Sequence, residues 1–241
     1  MCGRVHIKKS VAEMVAKFAF ADPGEIPSIA NQLPRWNGAP RQNYPIIVVD
    51  ELQRGTTMFV SARWGLIPYW VKEPDGGQQP FNARSDKVKT SGMYKAAYER
   101  RRALMPIDGF FEWRDIYGTG RNKQPYAIAM KSGEPFALAA LWENWTDPTT
   151  GEIVRTFAVI TCDPNPMIAE IHNRMPVIIT PQDYMTWLTD PDPERLMKPF
   201  PEELMAMWKI GKVTDRPDVF EPASEPKPKP PAPPPMGDLF D

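Results

Sequence analysis

The stretches FALAALWENW (residues 136–145) and TFAVITC (residues 156–162) decide how this chain folds. Each is a sustained apolar run rich in β-branched or aromatic side chains, and each is bounded by Pro, Asp or Thr, as a buried strand is. PIIVVD (45–50), TTMFVSARWGLI (56–67) and PVIIT (176–180) have the same character, and QPYAIAMK (124–131) alternates behind a hairpin turn, IYGTGRNKQ (116–124). Helical patterns are fewer. SVAEMVAKF (10–18) sets Val11, Met14, Val15 and Phe18 on one face, with Ser10 and Glu13 spaced as a capping box. TSGMYKAAYERRR (90–102) and PEELMAMWKI (201–210) also read as helices, with Pro201 suited to a first turn. Strands and helices do not alternate, which argues against a doubly wound parallel sheet. The fold class is α+β: one domain with a curved, largely antiparallel, barrel-like β core and peripheral helices.

Proline punctuates the far end. Of 29 prolines, eight fall in EPASEPKPKPPAPPPMGDLFD (221–241). Such a segment lacks the apolar surface to offset the entropy of ordering. Residues 1–218 are therefore expected to form the domain and residues 219–241 a disordered, polyproline-like tail. Twenty-nine basic against 30 acidic side chains leave a formal charge of −1, so any phosphate binding must come from a local cluster. No apolar run approaches the roughly eighteen residues of a membrane span, and no secretory signal is visible. With two cysteines only, these features point to a reducing, cytoplasmic setting, nucleoid-associated in a bacterium.

The chemistry starts at MCGR (1–4). Removal of Met1 would leave Cys2 with an α-amine and a thiol on adjacent carbons. An α-amine, with a reference pKa near 7.7–8.0, is partly neutral at pH 7, unlike a lysine amine near 10.4. An amino-thiol condenses with an aldehyde to an imine, which the sulfur closes to a five-membered thiazolidine. In PFNARSD (80–86), Asn82 and Arg84 point to one side if the segment is extended, joining an amide to a phosphate-binding guanidinium. In IDGFFEWRD (107–115), Glu112 lies between Phe111 and Trp113, where burial would raise its pKa and suit it to moving protons. His172, in EIHNRMPVII (170–179), lies between a short helix and a strand. Taken singly, each also fits a bland reading: an incidental second residue, a solvated edge, a polar strand face, a structural histidine. His6 and Cys2 fall short of the four ligands of a structural zinc site, so no metal and no cofactor is expected.

The order of MCGR, RWNGAP (35–40), RWGLIP (63–68), FNARSD (81–86), GFFEW (109–113) and IHNRMPVII (171–179) resembles the SRAP family, the SOS-response-associated peptidases. The resemblance runs from Cys2 to about Trp208. It implies covalent capture of abasic sites in single-stranded DNA, with the peptidase label reflecting self-processing that exposes the cysteine. On that resemblance Cys2 forms the crosslink, Asn82 holds the amine and sugar, Glu112 shuttles protons, and His172 helps open the sugar ring. Arg4, Arg84 and Arg174 grip the backbone, Trp64 and Trp113 line the site, and Pro40 and Met93 wedge beside a kinked strand. Lyase activity through the same imine is a further implication. The final MGDLFD (236–241) resembles the peptide by which bacterial replication proteins dock on the sliding clamp, though the leading glutamine is missing. Two rivals use the same residues differently: an N-terminal-cysteine hydrolase, whose amine serves as base, and a non-covalent single-stranded DNA-binding module.

Overall fold

The structure, a computed structural model, describes residues 2–50, 55–72 and 79–223. Met1 and residues 224–241, on which the expectations of processing and of a disordered tail fall, lie outside the described residues. In chain order the strands are β1 (Val5–Ile7), β2 (Arg35–Gly38), β3 (Asn43–Val49), β4 (Thr57–Trp64), β5 (Asn82–Arg84), β6 (Arg102–Ile107) and β7 (Gly109–Arg114). They continue as β8 (Gln124–Met130), β9 (Phe136–Thr146), β10 (Ile153–Cys162), β11 (Met175–Pro176), β12 (Ile178–Ile179) and β13 (Met205–Lys209). The helices are α1 (Val11–Lys17), α2 (Lys95–Arg100), α3 (Pro166–Ala169) and α4 (Tyr184–Thr189).

The two stretches that decide the fold are β9 and β10. They pair antiparallel from Ile153–Thr146 to Val159–Ala140, and their outer edges close a ring through β6, β3 and β4. The last seam of the ring, β10 with β4, is parallel, and β5 continues along the same edge of β10 with Asn82 opposite Val159 and Arg84 opposite Thr161. Closure leaves no open sheet edge in the barrel. Fully buried side chains cover both faces of its wall, Tyr44, Trp64 and Phe157 on one and Phe59 and Leu104 on the other. A second sheet, in the order β13-β8-β7-β1-β2, packs beside it and is antiparallel throughout.

The local rules hold where the sequence pattern is strong. Ser10 and Glu13 form both halves of the capping box of α1, and Met14 and Phe18 enter the core. The glycine-rich segment after Arg114 is the hairpin connection from β7 to β8, with left-handed Gly118, Gly120 and Asn122.

Two expectations need correction. PEELMAMWKI is not a helix: Glu202–Leu204 makes one 3-10 turn, and Met205–Lys209 becomes β13, paired residue by residue with β8 from Met205–Met130 to Lys209–Tyr126. Helix propensity is a weak prior, and here the open edge of β8 supplies a full ladder of backbone partners. The domain also continues past residue 218. Val219 is buried, the Ala223 N–H donates to Lys209, and the Phe220 ring stacks on His6 at 4.2 Å. Gly109 leaves room for that ring, since a Cβ there would collide with Phe220 and lie 2.7 Å from the Ile128 carbonyl. Burial holds the His6 pKa down at about 4, so the imidazole is neutral at pH 7 and packs as an aromatic.

Candidate active site and DNA-contact surface

Cys2 lies just before β1, completely buried. Asn82, on β5, donates from Nδ2 to the Cys2 carbonyl at 2.9 Å. Its own carbonyl accepts from the Tyr94 hydroxyl at 3.2 Å, which fixes β5 against the segment leading into α2. The Asn82 Oδ1 is buried and finds no partner among the described residues. Glu112, on β7, is 3% exposed. Its strand runs antiparallel to β1 with Val5 opposite Phe110, and the Arg4 carbonyl accepts from Phe111 N–H, which carries the carboxylate to the start of the chain. Burial pushes the Cys2 thiol well above its usual range, the Glu112 charge pushes it further, and the Arg4 backbone N–H partly opposes both. The thiol is therefore neutral at physiological pH.

The second half of the array follows β10. Arg84 is exposed and forms a two-pronged pair with Asp86, at 2.9 and 2.8 Å. Arg174 is nearly buried; its guanidinium donates to the Thr161 carbonyl and hydroxyl and lies 3.4 Å from Asp163 and 3.9 Å from Asp86. Because Arg84 sits opposite Thr161 on the parallel seam, the two guanidiniums meet at one point on the rim. His172 follows α3 and donates its backbone N–H to Ile168 at 2.8 Å. Its Nδ1 lies within hydrogen-bond distance of both the Arg174 backbone N–H, at 3.0 Å, and the Arg174 carbonyl, at 3.1 Å, so the turn back to Arg174 fixes the ring.

The structure places the other sequence-derived residues unevenly. Arg4 is half-buried, with its backbone at the Cys2 sulfur and its charge acting on the Tyr44 phenol, which burial pushes up to about 12. Pro40 is half-exposed in the turn between β2 and β3, and Met93 is half-buried directly before Tyr94. Trp64 does not reach the surface. It is fully buried, stacked on Phe157, with its indole N–H donating to the Phe81 carbonyl at 2.8 Å. It props β5 from behind and cannot contact DNA. Trp113 is half-exposed but lies on the opposite face of β7 from Glu112, packed with Phe111 and Trp208. Strand alternation requires this: residues 111 and 113 share one face, 110 and 112 the other. Sequence reasoning missed Tyr94, Asp86 and an exposed aromatic pair, Tyr69 and Trp70, at 64% and 55% exposure. The pair follows RWGLIP directly, and two adjacent aromatics outside any strand pattern were the signal available.

The fold and site define a closed β-barrel protein that holds Cys2 by the Asn82 amide, with the Glu112 charge acting on the thiol and arginines and a histidine along the rim. The profile of SRAP, the SOS response associated peptidases, matches residues 1–216, and the chain belongs to that family. It is 31% identical over 225 residues to the abasic site processing protein YoqW of Bacillus subtilis, covering 90% of this chain and 95% of the relative. It is 30% identical over 172 residues to the abasic site processing protein HMCES of Xenopus tropicalis, covering 61% of this chain and 50% of that one. A crystal structure of a Bacteroides thetaiotaomicron protein superposes with a TM-score of 0.82 at 26% identity, covering 92% of this chain and all of the other. No helix among the described residues is long and apolar enough to cross a membrane.

Proposed function

We propose that this protein processes abasic sites, capturing them covalently in single-stranded DNA through Cys2 once Met1 has been hydrolysed away. The observation that carries the reading is the convergence of Asn82 and Glu112 on a buried Cys2. The ring-opened sugar presents an aldehyde. The Cys2 amine adds to it, and loss of water gives an imine. The S–H then adds across the C=N bond: sulfur bonds to C1′, the proton passes to nitrogen, and a thiazolidine results. The amine reacts first, and sulfur follows with its own proton. Glu112 carries protons to the departing hydroxyl and between sulfur and nitrogen. His172 assists ring opening. The imine stage also permits strand cleavage by β-elimination, a lyase reaction in competition with sulfur closure.

A missing base carries no sequence information, so recognition falls on phosphates and stacking. Arg84 and Arg174 offer guanidiniums held by exposed carboxylates, and such pairs give way readily to phosphate. Tyr69 and Trp70 supply ring faces for neighbouring bases. The site of action is the DNA of the cytoplasm or nucleoid.

Intact mass spectrometry after incubation with an abasic oligonucleotide tests the proposal. The wild-type chain lacking Met1 is expected to give a denaturation-resistant adduct, which disappears in Cys2→Ala and when the terminal amine is blocked. An adduct surviving either change, or traced to another side chain, overturns it. The Asp-Leu-Phe of residues 238–240 would dock the protein on a sliding clamp, its long tether raising the local concentration at replication forks. Deleting residues 236–241 should then abolish clamp affinity in surface plasmon resonance; unchanged affinity rejects the docking.

A further inference from the structure

On the outer face of the second sheet, behind β1, lies a cleft of about 300 Å³ whose walls include Trp208, Phe220 and Met130 and whose rim carries Lys8 and Lys131. It is a different face from the one that bears Glu112, since His6 and Phe111 point toward it and Phe110 away. The aromatic walls are fixed: the Trp208 indole N–H donates to the Phe220 carbonyl at 2.9 Å, and the two rings meet edge to face at 5.1 Å. Asp108 lies against the floor, 5% exposed. Its Oδ2 accepts the backbone N–H groups of Lys8 and Lys9 at 2.8 and 3.2 Å, while Oδ1 is buried with no partner among the described residues. An orphaned buried carboxylate oxygen is costly, and a ligand that brings a donor to it removes that cost. Neither rim lysine makes an ion pair with a described residue, whereas Lys17 nearby is paired with Glu134.

We propose that this cleft binds a nucleoside monophosphate. A flat ring lies on the aromatic wall, N–H groups on its edge meet Asp108, and the phosphate lies between Lys8 and Lys131. As a carboxylate Asp108 has one oxygen left to accept with, since Oδ2 already takes two N–H groups, so a base edge with an outlying N–H donor, as guanine presents at N2 beside N1, fits best. Thymine, with a carbonyl on either side of its single N–H, fits worst. The nucleotide has two sources, a free monophosphate or a residue of a DNA strand passing behind β1.

Titration calorimetry of the full chain with dGMP at low salt tests this without an abasic site and without Cys2, so it stands or falls apart from covalent capture. Saturable binding is expected, with dTMP at least tenfold weaker. The double variant Lys8→Glu, Lys131→Glu, which changes only exposed side chains, is expected to weaken dGMP at least tenfold. Asp108→Asn, checked for its melting temperature, is expected to erase the preference over dTMP. A trinucleotide dT-dG-dT that binds more tightly than dGMP identifies the strand as the source; equal or weaker binding identifies the free nucleotide. No saturable heat with either probe, or affinity unchanged in the double variant, overturns the proposal.

Discussion

Replacing Asn82 with Ala is expected to slow adduct formation on an abasic oligonucleotide by about a hundredfold, a loss of the size that misplacing a reacting group produces. The side chain holds the Cys2 carbonyl at 2.9 Å and carries a buried Oδ1 without a partner among the described residues. Alanine removes both, and under the proposed reaction Cys2 loses the contact that holds its main chain in place. The fold should barely register the change. The Tyr94 hydroxyl bonds the Asn82 main-chain carbonyl, which alanine keeps, and the lost hydrogen bond is worth about 1 kcal/mol. Single-turnover rates from denaturing gels, alongside melting curves, separate the two effects. A rate within twofold of wild type would remove Asn82 from the mechanism.

The second large effect concerns stability. Arg102 is 6% exposed, and its guanidinium donates to three backbone carbonyls: Trp187 at 2.6 Å, Tyr98 and Asp190. Those carbonyls lie at the ends of α2 and α4, where helices leave acceptors unused and a cation is favoured. Tyr98 and Trp187 place their rings about the same group, 5.7 and 5.9 Å from its central carbon. Arg102→Met keeps much of the volume but strands the carbonyls, at roughly 1–3 kcal/mol for each buried group left unpaired. A net loss of about 4 kcal/mol is expected, a fall of roughly 10 °C in melting temperature for a domain of this size. Urea and thermal denaturation check it; a loss below about 1 kcal/mol would show that water replaces the guanidinium without penalty.

Legibility in the sequence tracked the range of the interactions. The capping box of α1 and the β7–β8 hairpin rest on neighbours within a few residues, and both formed as read. Asn82 and Arg84 do share an extended strand, as their spacing allowed. What spacing could not convey was the parallel seam that carries them to Thr161 and so to Arg174, because pairing partners are not written in either strand. The same ignorance of partners turned MAMWK into a helix. Trp64 failed for a different reason: an indole suits a core as well as a DNA surface, and only the closed barrel shows which. Glu112 and Trp113 looked like one unit, yet the pleat divides them. The segment just past residue 218 looked like the head of a tail because proline dominates the residues beyond it, while the aromatic partner of Phe220 lay more than two hundred residues away in His6.

The position of β1 has a mechanical consequence. It runs between β2 and β7 with backbone bonds along both edges, and Phe220 is packed against its outer face through His6. Under the proposed reaction, DNA hauled away by a motor would tug on Cys2, three residues upstream of this strand. The pull would meet both ladders in shear, so that bonds share the force instead of parting in succession like a zipper. The lesion would then hang from a strand bonded along both edges, and dislodging it would require rupturing the sheet or cutting the chain.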